Sequence, residues 1–180
     1  VGVFFDPSPT GGFKAFGHLQ LNLSQYVSGW GTDVTAESPD GLHWTPKQAM
    51  VWPPPHRHDC HNNIFYDPMP KAYGHPAGSG RYVATTRDVH PTACDKQWAA
   101  SCQREIGMTA SLPGQGFMFD GKVAPTMVEM GEVSHQLYAQ VSFRWHSIYM
   151  GIVMVYDATD PANRVHCRLV WAHPAEALDP

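Results

Sequence analysis

Between Pro55 and His61 the chain brings together side chains that bind metal ions: three imidazoles, a carboxylate and a thiol. Such nitrogen, oxygen and sulfur ligands suit zinc or copper, and His56 and His58, two residues apart on an extended strand, would share a face. The segment matches no known metal-site spacing, however, and eleven histidines make chance crowding easy. We therefore expect no metal or other cofactor. A metal-binding β protein that uses the His56–His61 cluster is the lesser alternative.

The element that positions side chains in this chain is the β-hairpin, and its clearest sign is the turn at Asp40-Gly41. Asp-Gly between two apolar runs supplies the positive φ of a tight turn, and Trp44 then anchors the next strand. Weaker copies of this pattern, a strand that ends in a turn, recur at Gly107–Gly114 and Leu169–Pro174. A spacing of roughly 60 to 75 residues is typical of the successive sheets of a propeller or a repeat array.

Nine segments have the period-two alternation, or the density of β-branched and aromatic residues, that is typical of strands. These predicted strands are Val3–Phe5, Phe13–Leu21, Val34–Glu37, Asn63–Tyr66, Tyr82–Thr86, Glu105–Ala110, Gln136–Phe143, Ile148–Tyr156 and Val165–Trp171. Proline clusters such as Trp52–Pro55 and Asp67–Pro70 disfavour helices between them. We predict an all-β fold built of antiparallel four-stranded sheets.

Composition excludes several classes of protein. The 180 residues suffice for one domain, and 43% hydrophobic with 12% aromatic residues argue against disorder. A net charge of −4 without a run of Lys or Arg excludes a nucleic-acid surface, because phosphate binding needs clustered cations. The longest apolar candidate, Ile148–Tyr156, has the length of a strand, whereas about 20 residues are needed to span a bilayer, so we expect no membrane insertion.

The four cysteines fit no zinc-finger or CxxC spacing. Cys94 and Cys102 bracket a short polar segment that a disulfide would staple into a loop, and two free thiols fit the sequence equally well. Asn22-Leu23-Ser24 is a glycosylation sequon. The sequon and the possible disulfide favour a secreted or extracellular protein.

Several short phrases resemble, in order along the chain, those of the five-bladed β-propeller glycosidases. The similarity is strongest to the N-terminal domain of glycoside hydrolase family 32, and it is more distant to families 43 and 62 and to the sialidases. The phrases that carry it are Val3–Pro7, Phe13–Gly17, Ser38–Trp44, Asp59–Pro68, Arg81–Arg87, Arg104–Gly107 and Tyr149–Tyr156. The resemblance implies that the chain is part of a five-bladed β-propeller.

A complete five-bladed propeller takes on the order of 250 to 300 residues, so residues 1–180 correspond to one partial domain of about three blades. The chain also opens on a β-rich run without an initiator Met or a signal sequence, and we expect a fragment. An open stack of blades leaves apolar flanks uncovered. Further blades, or another chain, are expected to complete the propeller.

The same resemblance implies glycoside hydrolysis by a pair of carboxylates, one donating a proton and one attacking or activating water. Asp59 precedes the strand where similar proteins carry a site Asp. Glu132, like its neighbour Glu129, lies where family members often have an acidic residue. Asp88 follows Arg87 as in the Arg-Asp-Pro triplet of family 32, although Val89 replaces the Pro.

Arginine and aromatic side chains are the expected glycan contacts, because a guanidinium grips hydroxyls or a carboxylate and an aromatic ring stacks on a sugar face. The expected substrate-binding residues are Arg87, Arg104, Asn62, Tyr138 and His61. Glu105 is a further acidic candidate. Because adjacent residues of a strand point to opposite faces, only one of Arg104 and Glu105 is expected to face a central tunnel.

Two classes of function follow from these residues. The first is a glycoside hydrolase-like enzyme acting on a glycan, and the second is a non-catalytic propeller that binds carbohydrate or another protein. Trp52, Trp98 and Trp145 are possible sugar platforms. Trp44 and Trp171 occupy the repeated strand positions and are predicted to be structural.

Overall fold

A computed structural model of the protein describes residues 2–8, 11–19, 32–49, 63–68, 80–89, 104–111, 117, 126–128 and 134–174. The elements in these ranges are eleven β-strands in three antiparallel sheets. The all-β, antiparallel prediction is therefore confirmed. No helix among the described residues has the length and apolar character needed to cross a bilayer.

The first sheet is a four-stranded meander, with its strands neighbouring one another in chain order. Its strands are β1 (Gly2–Phe5), β2 (Phe13–Leu19), β3 (Thr32–Ser38) and β4 (Thr45–Ala49). The predicted turn joins β3 to β4, and Gly41 has the expected positive φ of 77°. The Asp40 carboxylate accepts hydrogen bonds from the backbone amides of Leu42 and His43, both 2.8 Å long, which fixes the turn.

The second sheet repeats the same meander. Its strands are β5 (Asn63–Asp67), β6 (Arg81–Val89), β7 (Arg104–Ala110) and β8 (Thr126–Val128). Residues 81–87 and 105–110 are buried without the in-and-out alternation of a half-exposed strand. Continuous burial of this kind means that both faces of the second sheet are covered.

The third sheet has three strands in the part of the chain that the structure describes, one fewer than predicted for a blade. They are β9 (His135–Trp145), β10 (Ile148–Asp157) and β11 (Val165–Ala172). β9 and β10 form a long hairpin that turns at His146 and Ser147, where His146 has a φ of 52°. β11 pairs with β10 alone among the described strands.

The three sheets stack face to face, with the second sheet in the middle. One face of the second sheet packs on the first sheet through a cluster of Phe16, Ile64, Tyr82, Ala84 and Phe117. Its other face packs on the third sheet through two clusters, Phe65, Val83, Met108, Ala110 and Tyr149, and Ile106, Leu137, Val153 and Val155. Burial of each such large side chain contributes about 1.5 to 3 kcal/mol, so these faces hold the stack together.

Each interface between sheets also contains one hydrogen bond from a tyrosine to an aspartate. The Tyr82 hydroxyl of β6 donates to the Asp6 carboxylate at 2.6 Å, and the Tyr149 hydroxyl of β10 donates to Asp67 at 2.6 Å. Both aspartates are fully buried, and both follow a Phe-Phe or Phe-Tyr pair at the end of the first strand of their sheet. We call these two hydrogen bonds the Asp–Tyr contacts. They repeat in one direction, from each sheet to the next.

All nine predicted strands are present, and the three repeated strand ends fall at the ends of β3, β7 and β11, one in each sheet. β4 is the strand predicted to follow Trp44, although the sequence set no bounds for it, and β8 was not predicted. The prediction that Trp171 is structural is wrong, because this side chain is 69% exposed on the outer face of the third sheet. The described sheets form an open stack and not a closed ring, since the outer faces of the first and third sheets are exposed.

Candidate functional site

Three of the predicted glycan contacts lie together: two arginines approach the ring of Tyr138. The guanidinium carbon of Arg87 lies 4.5 Å from the centroid of the Tyr138 ring, and that of Arg104 lies 5.8 Å from the same centroid. Arg104 Nη1 also donates a hydrogen bond to Gln136 Oε1 at 2.5 Å. Arg87, Arg104, Tyr138 and Gln136 together form what we call the Tyr138 cluster.

The strand register explains why the two arginines meet. β6 and β7 are antiparallel, with Arg87 opposite Ile106 and Val89 opposite Arg104. Opposite residues of an antiparallel pair share a face, as do residues two apart on a strand. Both arginines therefore lie on the face of the second sheet that packs against β9.

A β-bulge places Tyr138. Met154 pairs with Ala139 and Val155 pairs with Leu137, so Tyr138 is the extra residue of β9 at the register shift. A bulge re-aims the side chain of its extra residue and increases the local twist. Here the re-aimed ring lies beneath the two guanidinium groups.

Burial differs within the Tyr138 cluster. Arg87 is only 5% exposed and Gln136 only 1%, whereas Arg104 and Tyr138 are half-buried. A guanidinium has five N–H donors, and among the described residues Arg104 donates one of them, to Gln136. Arg104 therefore offers a flat cationic fork, held against an aromatic ring, to a ligand at the surface.

Glu105 does not join this cluster. It is 2% exposed and alternates with Arg104 along β7, so it lies on the opposite face, toward the first sheet. Arg104 and Glu105 therefore lie on opposite faces of β7, as expected for adjacent residues of a strand.

The remaining predicted site residues lie outside the described residues or are described by their backbone alone. Asp59, Glu129, Glu132, Asn62 and His61 lie outside the described residues, and so do the other side chains of the His56–His61 cluster. Asp88 lies in β6 opposite Glu105, and only its backbone is described. The catalytic assignments stay predictions.

The predicted glycosylation site, the possible disulfide and two of the possible sugar platforms are also outside the described residues. Asn22, Cys94, Cys102, Trp52 and Trp98 lie outside the described residues. Cys167 is an exposed free thiol on β11. No group of three or more His, Cys, Asp or Glu side chains within the described ranges is arranged to hold a metal ion.

Sequence reasoning missed a second polar cluster at the same interface, around Asp67. Besides the hydrogen bond from Tyr149, the Asp67 carboxylate contacts the Arg144 guanidinium and has Arg81 Nε at 3.9 Å. Arg81 Nη2 in turn donates to the Tyr149 hydroxyl at 3.2 Å. Burial lowers the pKa of Arg144, and the neighbouring Tyr149 partly opposes this shift.

We call this group of Asp67, Tyr149, Arg144 and Arg81 the Asp67 cluster. The signal for it was the repeated Phe-Phe-Asp-Pro and Phe-Tyr-Asp-Pro phrases, which mark Asp6 and Asp67 as equivalent.

A third polar group lies at the surface of the first sheet, beside a pocket of about 380 Å³. Lys14 Nζ lies 2.7 Å from one Glu37 carboxylate oxygen, and Lys47 Nζ lies 3.1 Å from the other. Burial acts to raise the pKa of Glu37, but the hydrogen bonds from the two lysines outweigh it, so the pKa is lowered. Lys14 Nζ also lies 3.8 Å from the buried Asp6 carboxylate, so two lysines face two carboxylates and their charges compensate, which favours a structural role.

The three polar groups differ in what they can do chemically. The Asp67 and Glu37 groups each pair cations with a carboxylate. The Tyr138 cluster presents a half-buried arginine on an aromatic ring, an arrangement suited to an anionic or hydroxyl-rich ligand. The chain matches no protein-family model, no curated protein and no solved structure.

Proposed function

We propose that this chain is a carbohydrate-active β protein that binds a glycan at the Tyr138 cluster. What supports the proposal is that Arg87, Arg104 and Tyr138 were each expected to contact glycan, and they come from three different strands to one ring. Burial in the core alone would not explain why these three side chains meet at one place.

The chemistry of the cluster favours an acidic glycan. Arg104 is half-buried, so its guanidinium is reachable and partly desolvated. A guanidinium binds a carboxylate through two parallel N–H···O bonds, and such charge-assisted bonds are roughly twice as strong as neutral ones. The preferred ligand is then a sugar that carries a carboxylate, with Arg87 adding a second positive charge on the same ring.

The architecture within this proposal is part of a five-bladed β-propeller of the glycosidase type. Its support is the succession of three antiparallel sheets in chain order, stacked face to face, with the same Asp–Tyr contact between neighbours. The blades that complete the ring come from further segments or from another chain. A secreted location belongs to the same proposal and rests on the sequence alone.

The binding proposal is tested by isothermal titration with a uronic-acid oligosaccharide and with its carboxyl-reduced, neutral counterpart. The variant Arg104→Gln keeps a polar side chain of similar length but removes the charge. Loss of a charge-assisted hydrogen bond costs about 1.5 to 3 kcal/mol, so we expect binding of the acidic oligosaccharide to weaken about 10- to 100-fold.

The matched control is Arg168→Gln, an exposed arginine on β11 whose Nε contacts His166 at 3.1 Å. This variant should bind like the unaltered chain. Equal affinity of all three proteins for the acidic oligosaccharide, or absence of binding to any of them, would rule out the Tyr138 cluster as the binding site.

Hydrolysis is a separate part of the proposal and needs a separate test. Asp59 with Glu132 or Asp88 would supply the acid and the nucleophile or base. Incubation with a panel of aryl glycosides should show turnover that Asp59→Asn abolishes. Equal turnover in the variant would remove Asp59 from the mechanism, and absence of turnover together with intact binding would leave a non-catalytic carbohydrate-binding protein.

A further inference from the structure

The outer face of the third sheet is apolar along all three strands. The register places Trp171 opposite Met150 and Leu169 opposite Ile152 on this face, and β9 continues it. Its exposed members are Val141, Phe143, Trp145, Ile152, Met154, Val165, Leu169 and Trp171. Leu169 is 64% exposed and Trp171 69%, values far above those of the core. A continuous apolar surface of this kind marks an interaction site.

The other end of the stack is apolar as well. On the outer face of the first sheet Val3 is 56% exposed and Phe5 63% exposed, and Phe5 packs edge-on against Phe13 at 5.4 Å. Ala15 and Ala36 lie on the same face by register.

The Asp–Tyr contacts give the stack a direction that relates these two ends. In the second sheet Tyr66 pairs with Tyr82, and the residue after Tyr66 is Asp67, which meets the following sheet. In the third sheet Arg144 pairs with Tyr149 in the same way, and the next residue is Trp145. Trp145 therefore occupies the aspartate position on the face that a following sheet would meet.

The first sheet completes the correspondence. Phe5, the residue before Asp6, pairs with Phe13, so Phe13 occupies the position that Tyr82 holds in the second sheet. Tryptophan and phenylalanine thus replace aspartate and tyrosine at the two ends of the stack. Both partners of the polar contact have changed to apolar ones together, so the two outer faces remain complementary to each other.

From this correspondence we infer that the outer face of the third sheet packs against the outer face of the first sheet of a second copy of this chain. The contact is head-to-tail and continues the stack in its existing direction, with Trp145 of one copy near Phe13 of the next. It uses none of the four residues of the Tyr138 cluster, so its failure would leave the proposed glycan site untouched. It deepens the proposed architecture by naming a second copy of this chain as the partner that covers the open faces. Each copy has one face of each kind, so the interface is heterologous.

The size of the face sets the strength of this association. Three strands of about eight residues, with a rise of about 3.3 Å per residue and a spacing of about 4.8 Å, cover roughly 400 Å². Two such faces bury about 800 Å², below the roughly 1,200 Å² at which standard stable interfaces begin. The association is therefore weak and dependent on concentration.

Sedimentation velocity over a wide range of protein concentrations tests the inference. We expect the weight-average mass of the full chain to rise with concentration. Leu169→Lys and Phe5→Lys should each abolish the rise, because they place a charge on one face or the other. Leu42→Lys is the matched control, since Leu42 is 80% exposed in the β3–β4 turn and lies on neither sheet face. Circular dichroism checks that each variant is folded.

Mixing the two variants sharpens the test. Leu169→Lys keeps an intact first-sheet face and Phe5→Lys keeps an intact third-sheet face, so an equimolar mixture should form dimers and nothing larger. A chain that stays monomeric at every concentration would overturn the inference. Loss of association in Leu169→Lys but not in Phe5→Lys would also overturn it, because two third-sheet faces would then be packing on each other.

Discussion

Two pairs of arginines lie between the second and third sheets, and they are held in different ways. In the Asp67 cluster Arg81 and Arg144 approach a fully buried carboxylate that also accepts a tyrosine hydrogen bond. In the Tyr138 cluster Arg87 and Arg104 approach the face of a ring, and Arg104 is half-buried. The first arrangement joins two sheets from within, whereas the second leaves a half-buried cation on an aromatic ring, which we propose binds an external ligand.

The largest effect should come from removing the buried carboxylate. Asp67→Asn leaves Arg81 and Arg144 buried beside a neutral amide, and loss of one member of a buried ion pair costs about 3 to 5 kcal/mol. Urea denaturation should show a loss of unfolding free energy in this range. Asp40→Asn is the control and should change little, because Asp40 is 45% exposed and an asparagine keeps a side-chain oxygen that can accept the hydrogen bonds from Leu42 and His43. Similar stability of the two variants would contradict a structural role for the Asp67 cluster.

A smaller effect is expected at the Asp–Tyr contacts. Tyr82→Phe and Tyr149→Phe each remove one hydroxyl donor from a buried carboxylate and keep the ring in its cluster. Hydrogen bonds to charged groups contribute about 1.5 to 3 kcal/mol, so each variant should lose stability of that order. Thermal or urea unfolding checks this. If only one of the two variants were destabilised, the contacts would not be equivalent repeats.

The smallest effect concerns the ion pairs of Glu37, in which Lys14 is buried and Glu37 and Lys47 are partly exposed. The lysines lower the folded pKa of Glu37 below its ordinary value of 4.5, so their contribution is present above pH 4.5 and is lost as pH falls through the folded pKa. Glu37 is 31% exposed and solvent screens its charge, so this contribution stays below about 1 kcal/mol. Urea midpoints measured from near-neutral to acidic pH should fall less steeply in Glu37→Gln. Identical slopes would contradict the assignment.

Much of the fold was predictable from the chain, because it depends on local patterns. β10 shows why: Ile148–Tyr156 is an unbroken apolar run, dense in β-branched and aromatic residues and of strand length, and such a run predicts a strand without any long-range information. β4 was predicted only from the turn before it, because Thr45–Ala49 contains a proline and has no β-branched residue beyond Thr45. β8 was missed because three residues are too few to show a pattern.

The candidate site was predictable only in part. Arginine and tyrosine could be chosen by residue type, but their meeting depends on the bulge at Tyr138 and on which sheet faces pack together. Neither is visible in local sequence. The prediction for Trp171 was wrong for the same reason. The position of a residue in a strand predicts which face it lies on, but not whether another sheet covers that face.

The central claim is that the Tyr138 cluster binds a ligand and the Asp67 cluster does not. Arginine side-chain Nε–Hε resonances, followed by NMR during titration with the uronic-acid oligosaccharide, compare the two clusters in one sample. The Arg104 and Arg87 signals should move with increasing ligand while those of Arg81 and Arg144 stay in place. Movement confined to Arg81 and Arg144, or of no arginine signal, would contradict the account.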